Sequence, residues 1–271
     1  MKPPTPPTRE HVAAGSKTRA VVRSRARARD AGHTLVVAAD SEPHSRCHDG
    51  RACANELGEL GRPGDPAALL PIAIGDGAAA AVAYAGGLRD AGHSALLDER
   101  GELWLCGCDR WQQLGLGASA AGASGYTWSR LWQERFQKNE HVVDLLRRLD
   151  PTLGSGSEGP TARRWIRDVS LGGDHTVVLS ANQRDVVVFG KGGEKQLGLA
   201  STPWLSSPVK SKALSSPTAD ICAVCAFRHC SMTLDARGEM MNRAGKCHLS
   251  TEMTKALESC RKRARQHGLT T

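Results

Sequence analysis

Four histidines, His33, His93, His175 and His229, recur 60, 82 and 54 residues apart and invite a reading as catalytic bases or metal ligands. Imidazole is the side chain suited to moving a proton or binding zinc near neutral pH. Cysteines offer further ligands: Cys222-x2-Cys225 and Cys106-x-Cys108 have zinc-like spacing, and His44, Cys47, His48 and Cys53 are close enough to clip a loop around a metal. No second ligand pair stands at finger-like distance from either cysteine pair, however. Cys222, Cys225 and Cys230 fall in an apolar run where free cysteine packs well as a small hydrophobe. The stretch Lys191-Gly192-Gly193-Glu194-Lys195 resembles a phosphate loop but lacks the following Ser/Thr and helix. There is no nucleophile elbow, no His-Glu-x-x-His and no recognisable pair of carboxylates. The expectation is a protein with no catalytic residues, no cofactor and no metal.

The elements that hold these histidines explain them better. Residues 91–117 read AGHSALLDERGELWLCGCDRWQQLGLG, and residues 172–200 read GGDHTVVLSANQRDVVVFGKGGEKQLGLA. Each begins with a Gly or Asp, then His and Ser/Thr, an apolar run, a polar turn, a second apolar run ending in Gly, and Gln-Leu-Gly-Leu. His93 precedes Gly107 by 14 residues and His175 precedes Gly190 by 15, so one residue of slack in the turn accounts for the difference. Repetition with fixed internal spacing takes priority over local secondary-structure preference. Runs such as Thr176–Leu179 and Val186–Phe189 are β-branched and apolar, as strands covered on both faces are. Gly107, Gly190, Gly115 and Gly198 stand where strands end and backbone turns tightly. Weaker copies flank the pair. Residues 226–247 keep His229, a strand at Ser231–Leu234 and a turn at Gly238; residues 31–61 begin AGHTLVVAAD and then lose the second strand in a polar stretch before Glu56-Leu57-Gly58 and Glu59-Leu60-Gly61. A histidine repeated in every unit is expected to hydrogen-bond backbone between units rather than to react.

These signatures (Gly92-His93-Ser94, Trp104 to Gly107 and Gln113-Leu114-Gly115; Asp174-His175-Thr176, Val186 to Gly190 and Gln196-Leu197-Gly198) resemble the repeat of the regulator of chromosome condensation family. That resemblance implies four-stranded blades of a β-propeller. The family's usual seven blades are not all present, so the expectation is an all-β, partial or degenerate propeller over residues 30–247, with missing blades decayed or supplied by another chain. A helical insertion is expected at about 118–165. Within it WSRLWQERFQKNEHVVDLLRRL, residues 128–149, suits one or two amphipathic helices, with Trp128, Trp132 and Phe136 forming an aromatic face. Residues 248–271 are expected to form a basic C-terminal helix, with Thr251 as N-cap.

The net charge of +8 is unevenly placed: residues 1–29 hold +7 and residues 246–271 hold +4, leaving −3 for residues 30–245. Polyanion contact is therefore assigned to Arg19, Arg23, Arg25, Arg27 and Arg29 in the first segment and to Arg261, Lys262, Arg263 and Arg265 in the last. The Arg-rich start, with one acidic residue and no aromatic, reads either as a mitochondrial targeting segment or as a retained basic arm. Nine cysteines without a secretory signal point to a reducing compartment. Mean hydropathy is −0.37 and no apolar run approaches a membrane span.

The expected function is that of a non-enzymatic propeller scaffold or adaptor within a large assembly, with a ribonucleoprotein such as a mitochondrial ribosome as its setting. Its partners would be other protein subunits, and RNA through the tails. The alternatives are guanine nucleotide exchange on a small GTPase, which the resemblance implies but for which no wedge-loop residues match, and chromatin binding with nuclear residence; a cytoplasmic location also stays open.

Overall fold

The computed structural model describes residues 33–37, 42–47, 58–68, 70–75, 80–86, 92–98, 100–117, 132–153, 165–200 and 202–246, together with 254, 257, 258 and 261. The polyanion residues Arg19, Arg23, Arg25, Arg27, Arg29, Lys262, Arg263 and Arg265, along with His48, Cys53 and Trp128, lie outside them.

Four antiparallel sheets follow one another along the chain. The first contains β1 (His33–Val37), β2 (Pro43–Cys47) and β3 (Leu70–Pro71). The second is β4 (Ala80–Gly86), β5 (His93–Asp98), β6 (Leu103–Cys108) and β7 (Trp132–Lys138). The third is β8 (Ile166–Leu171), β9 (His175–Ser180), β10 (Val186–Lys191) and β11 (Trp204–Lys210). The fourth has β12 (Ala223–Phe227), β13 (Cys230–Leu234) and β14 (Met240–Gly245). In each sheet the strands pair in chain order, so each is a meander, and the sheets stack as blades.

Apolar residues on both faces of a sheet suit such stacking, because each blade interior is covered twice. Leu35, Val37, Ile72 and Ile74 meet Leu96, Trp104, Cys106 and Phe136 between blades one and two. Ala95, Leu97, Leu103 and Leu105 meet Val178, Val187 and Phe189 between blades two and three. Val177, Leu179, Val186 and Val188 meet Ile221, Val224 and Ala226 between blades three and four. Alternate residues of one strand thus serve opposite seams, as the period of two requires. At roughly 1.5–3 kcal/mol per fully buried aliphatic side chain, these seams are the main favourable term in the fold. Side chains of β8 also reach β12: Asp168 Oδ2 accepts from Val224 N at 3.2 Å, and Ser170 Oγ from Ala226 N at 2.9 Å.

Three local expectations are corrected. The aromatic stretch ahead of residue 140 is a strand, not a helix: β7 completes the second blade by pairing with β6. Trp132 and Phe136 are four apart, a spacing that puts two residues on one side of a strand as readily as on one side of a helix. Phe136 is buried in the first seam while Arg135 and Gln137 are exposed, which is the alternation of a strand. The helical half begins later, as α1 (Glu140–Leu149). Its N-cap is Asn139, whose side chain accepts from Val142 N and donates from Nδ2 to Leu114 O at 2.6 Å, tying the helix start to the Gln-Leu-Gly turn. Val142, Val143 and Leu146 are buried beneath it.

The first unit does not lose its second strand: the polar segment Pro43–Cys47 pairs with β1 along its whole length. Pro43, Ser45 and Cys47 point inward and Arg46 outward, so the polarity that hid this strand belongs to one of its faces. Finally, Cys47 and Cys230 each take part in a disulfide, unlike the free thiols that a reducing compartment implies. Cys47 therefore offers no thiolate to the loop clip drawn with His44, His48 and Cys53. Among the described residues no helix is long and apolar enough to cross a membrane.

Candidate functional site: a ladder of inter-blade contacts

The register of the hairpins fixes which residues are equivalent from blade to blade. His93 pairs with Gly107 and His175 with Gly190. In the fourth blade the residue opposite the corresponding Gly245 is Cys230, not His229. His229 sits one residue earlier, in the two-residue turn with Arg228, whose φ is +43°. Its equivalence to the other three histidines is therefore corrected by one place. The signal was present in the sequence: matching Ser231 to Ser94 and Thr176, rather than histidine to histidine, gives the observed register.

Each in-register histidine reaches into the next blade. His33 Nε2 lies 2.8 Å from Ser94 Oγ, His93 Nε2 3.2 Å from Thr176 Oγ1, and His175 Nε2 2.8 Å from Ser231 Oγ. The hydroxyls return the contact. Ser94 Oγ donates to Glu59 O at 2.6 Å, and Thr176 Oγ1 to Gln113 O at 2.7 Å. A hydroxyl has one hydrogen to give, so at these two rungs the imidazole must donate from Nε2. All three histidines are at most 1% exposed. Burial, followed by the neighbouring His93 and His229, pushes His175 down to about 3, which keeps it neutral across the physiological range. His33 and His93 are thus fixed hydrogen-bond donors, and all three imidazoles are held in buried contacts between blades.

Glu59 occupies the place of Gln113 in this geometry, so Glu59-Leu60-Gly61, not Glu56-Leu57-Gly58, is the first unit's version of Gln-Leu-Gly. Leu60, Leu114 and Leu197 are buried at these places, and Gly61, Gly115 and Gly198 share a φ of 62–65°. Gly107 and Gly190 have φ near +100°, and a Cβ on Gly190 would stand 2.6 Å from Asp174 O. Only glycine fits there without displacing the turn that carries His175.

Surface contacts repeat the same step. Lys191 Nζ lies 4.4 Å over the Trp111 ring and 3.5 Å from Asp174, while Lys246, its counterpart in the next blade, pairs with Glu194 at 2.6 Å. The Gly-rich loop between them is thus part of the blade-to-blade surface rather than a phosphate cradle. Asp109 heads the turn of the second blade, where it accepts from Leu114 N at 2.9 Å; burial pushes its carboxyl up to about 7. Arg62 places all five N–H donors on oxygens, those of Ser45 Oγ, Ser45 O, Pro63 O, Asp65 O and Ala68 O. It holds the connection into β3. No motif in the sequence pointed to it, because an arginine stitching backbone carbonyls has no fixed spacing.

Among the described residues no His, Cys, Asp and Glu side chains gather as a metal site. Cys106, Cys108, Cys222 and Cys225 are buried and outside any disulfide, and burial raises the first three thiols above their ordinary range. Of the polyanion residues only Arg261 is described, and its Nε donates to Gly238 O at 2.9 Å.

Comparison with solved structures gives the same fold. Human WBSCR16 superimposes with a TM-score of 0.52 at 17% identity, over 77% of this chain and 44% of that one. Prp20p from Saccharomyces cerevisiae gives 0.50 at 17% identity, over 88% and 45%. Yeast RCC1 (Prp20) in complex with Kap60 gives 0.52 at 14% identity, over 77% and 41%. The fold is an RCC1-like β-propeller. The chain spans less than half the length of these propellers, and its described blades form part of such a ring. No family model and no curated protein matches the sequence.

Proposed function

We propose that this chain is a non-catalytic propeller scaffold, a subunit of a large assembly whose neighbours dock on its blades. The observation that carries this reading is the ladder: the residues that look most like chemistry, His33, His93 and His175, are consumed in holding blade to blade. What varies between repeats lies on loops and tails, where partners bind. The separation of charge, +11 in the two terminal segments against −3 in between, supports RNA or an acidic protein surface as the tails' partner. A ribonucleoprotein of the mitochondrion, such as its ribosome, is the setting this favours. Purification of the endogenous protein at low and high salt, with and without nuclease, tests it. Co-sedimentation with one large particle, weakened by salt, is expected; a free protein at low salt would sink the reading.

A second reading has one observation in its favour. Prp20p, of the same fold, binds Gsp1p and histones. Guanine nucleotide exchange by this chain would show as faster release of labelled nucleotide from a small GTPase, and the scaffold reading expects no acceleration.

A further inference from the structure

The fourth blade keeps the hydroxyl that faces the third, and the two groups that would bond to a fifth are replaced. Ser231 is present, its Oγ 2.8 Å from His175 Nε2. The place from which an imidazole would reach onward holds Cys230. The Gln-Leu-Gly whose carbonyl would receive the next hydroxyl is missing as well: six residues after Gly245, where Gln113 and Gln196 stand after Gly107 and Gly190, the chain reads Thr251-Glu252-Met253. The far face of this blade is nevertheless as apolar as an interior seam, formed by Ala223, Cys225, Cys230, Met232 and Leu234. It is covered. Leu257 packs against this cluster, and Phe227 joins it from the edge. Arg261 Nε bonds Gly238 O in the β13–β14 turn, and the Arg261 stem lies against Gly238. Residues 254, 257, 258 and 261 are helical; Thr254, Glu258 and Arg261 are exposed while Leu257 is half-buried. Leu257 and Arg261 thus touch the blade, while Thr254 and Glu258 face water.

We propose that Leu257 and Arg261 cap the far face of the fourth blade, seated where a fifth blade would stack. Two independent features meet here: a blade in which the disulfide-bonded Cys230 stands where an imidazole would reach onward, and Leu257 of the same chain packed on its apolar face. Repeat arrays need such a cap, because an uncovered interior face recruits another copy of the array. The cap makes this flank closed to partners and directs any propeller-completing partner elsewhere.

The test uses the full chain, with Leu257→Asp to lift the cap and Leu257→Ala as a milder variant. Hydrogen exchange is followed in β12–β13 and, as an internal control, in β9–β10, with mass by light scattering alongside. The native chain should show no association through the fourth blade, and Leu257→Asp should exchange the β12–β13 amides about tenfold faster or more, with β9–β10 unchanged. Self-association of the variant at micromolar concentration would be the same result read by mass. If Leu257→Asp unfolds the whole chain, Leu257→Ala should still show the selective increase. Unchanged β12–β13 exchange in both variants, or a native dimer that protects these amides, would overturn the proposal.

Discussion

His175 and Cys230 stand at the same place in successive blades, yet one seals a seam and the other does not. His175 projects toward the fourth blade and finds Ser231; Cys230 faces an apolar surface covered by Leu257. The first unit differs in another way: it keeps a hydroxyl, Thr34, at the place of Ser94, but has Cys47 opposite His33 where the second blade has Gly107. It keeps His33 and Glu59-Leu60-Gly61, the parts that engage blade two, although only three of its strands are described. The difference teaches that one place in the repeat can change its bonding: the imidazole–hydroxyl rung at His175 gives way to a disulfide-bonded cysteine at Cys230.

The comparison breaks most sharply at the glycines of the central blades. Gly190→Ala places a Cβ on the carbonyl of Asp174 in a left-handed backbone. The expected loss is on the order of 3 kcal/mol or more by denaturant unfolding. Gly193→Ala, with open space around its Cβ, is expected to change stability by less than about 0.5 kcal/mol. A similar loss at both would mean that the seam turns impose no special demand.

The histidines give a smaller but more discriminating contrast. His93→Ala should lose about 2 kcal/mol, because it removes a buried rung and leaves space behind it. His229→Ala, outside the rung register, should lose less than about 1 kcal/mol. Equal losses would restore His229 to the ladder in place of the register that strand pairing gives.

Acidity sharpens the contrast further, since Asp109 and His175 both sit in the central blades. His175 has its folded pKa lowered from 6.5 to about 3, so its contribution is full above 6.5 and is lost as pH falls from there toward 3. Asp109 is raised from 3.8 to about 7, so the fold holds a proton that the unfolded chain releases, and stability falls as pH rises through that window. Asp109→Asn, which can keep the acceptor for Leu114 N, should therefore stabilise the protein more at pH 8 than at pH 5. Thermal melts at the two values check this; a larger gain at pH 5 would contradict it.

Much of this architecture was legible in residue spacing. The paired units 91–117 and 172–200, their hairpins and their terminal glycines are where the motif places them, since strand period and turn chemistry are local properties. The hairpin of the fourth blade even repeats the second: Asp98 Oδ1 and Asp235 Oδ1 each accept from the backbone two and four residues on. What escaped depends on partners distant in sequence. Trp132 and Phe136 fit a helix until β6 is known to need an edge partner. Arg62 bonds carbonyls that no pattern identifies. Cys230 became visible as a ladder residue only when strand pairing replaced histidine matching.

The ladder itself is tested most directly by a double-mutant cycle on His175→Ala and Ser231→Ala, run beside a control cycle on His229→Ala and Ser231→Ala. A rung predicts that the first pair is coupled by about 1 kcal/mol or more and that the control pair is additive within about 0.5 kcal/mol. Additivity of His175 with Ser231, or stronger coupling through His229, would contradict the claim that imidazole–hydroxyl rungs join the blades.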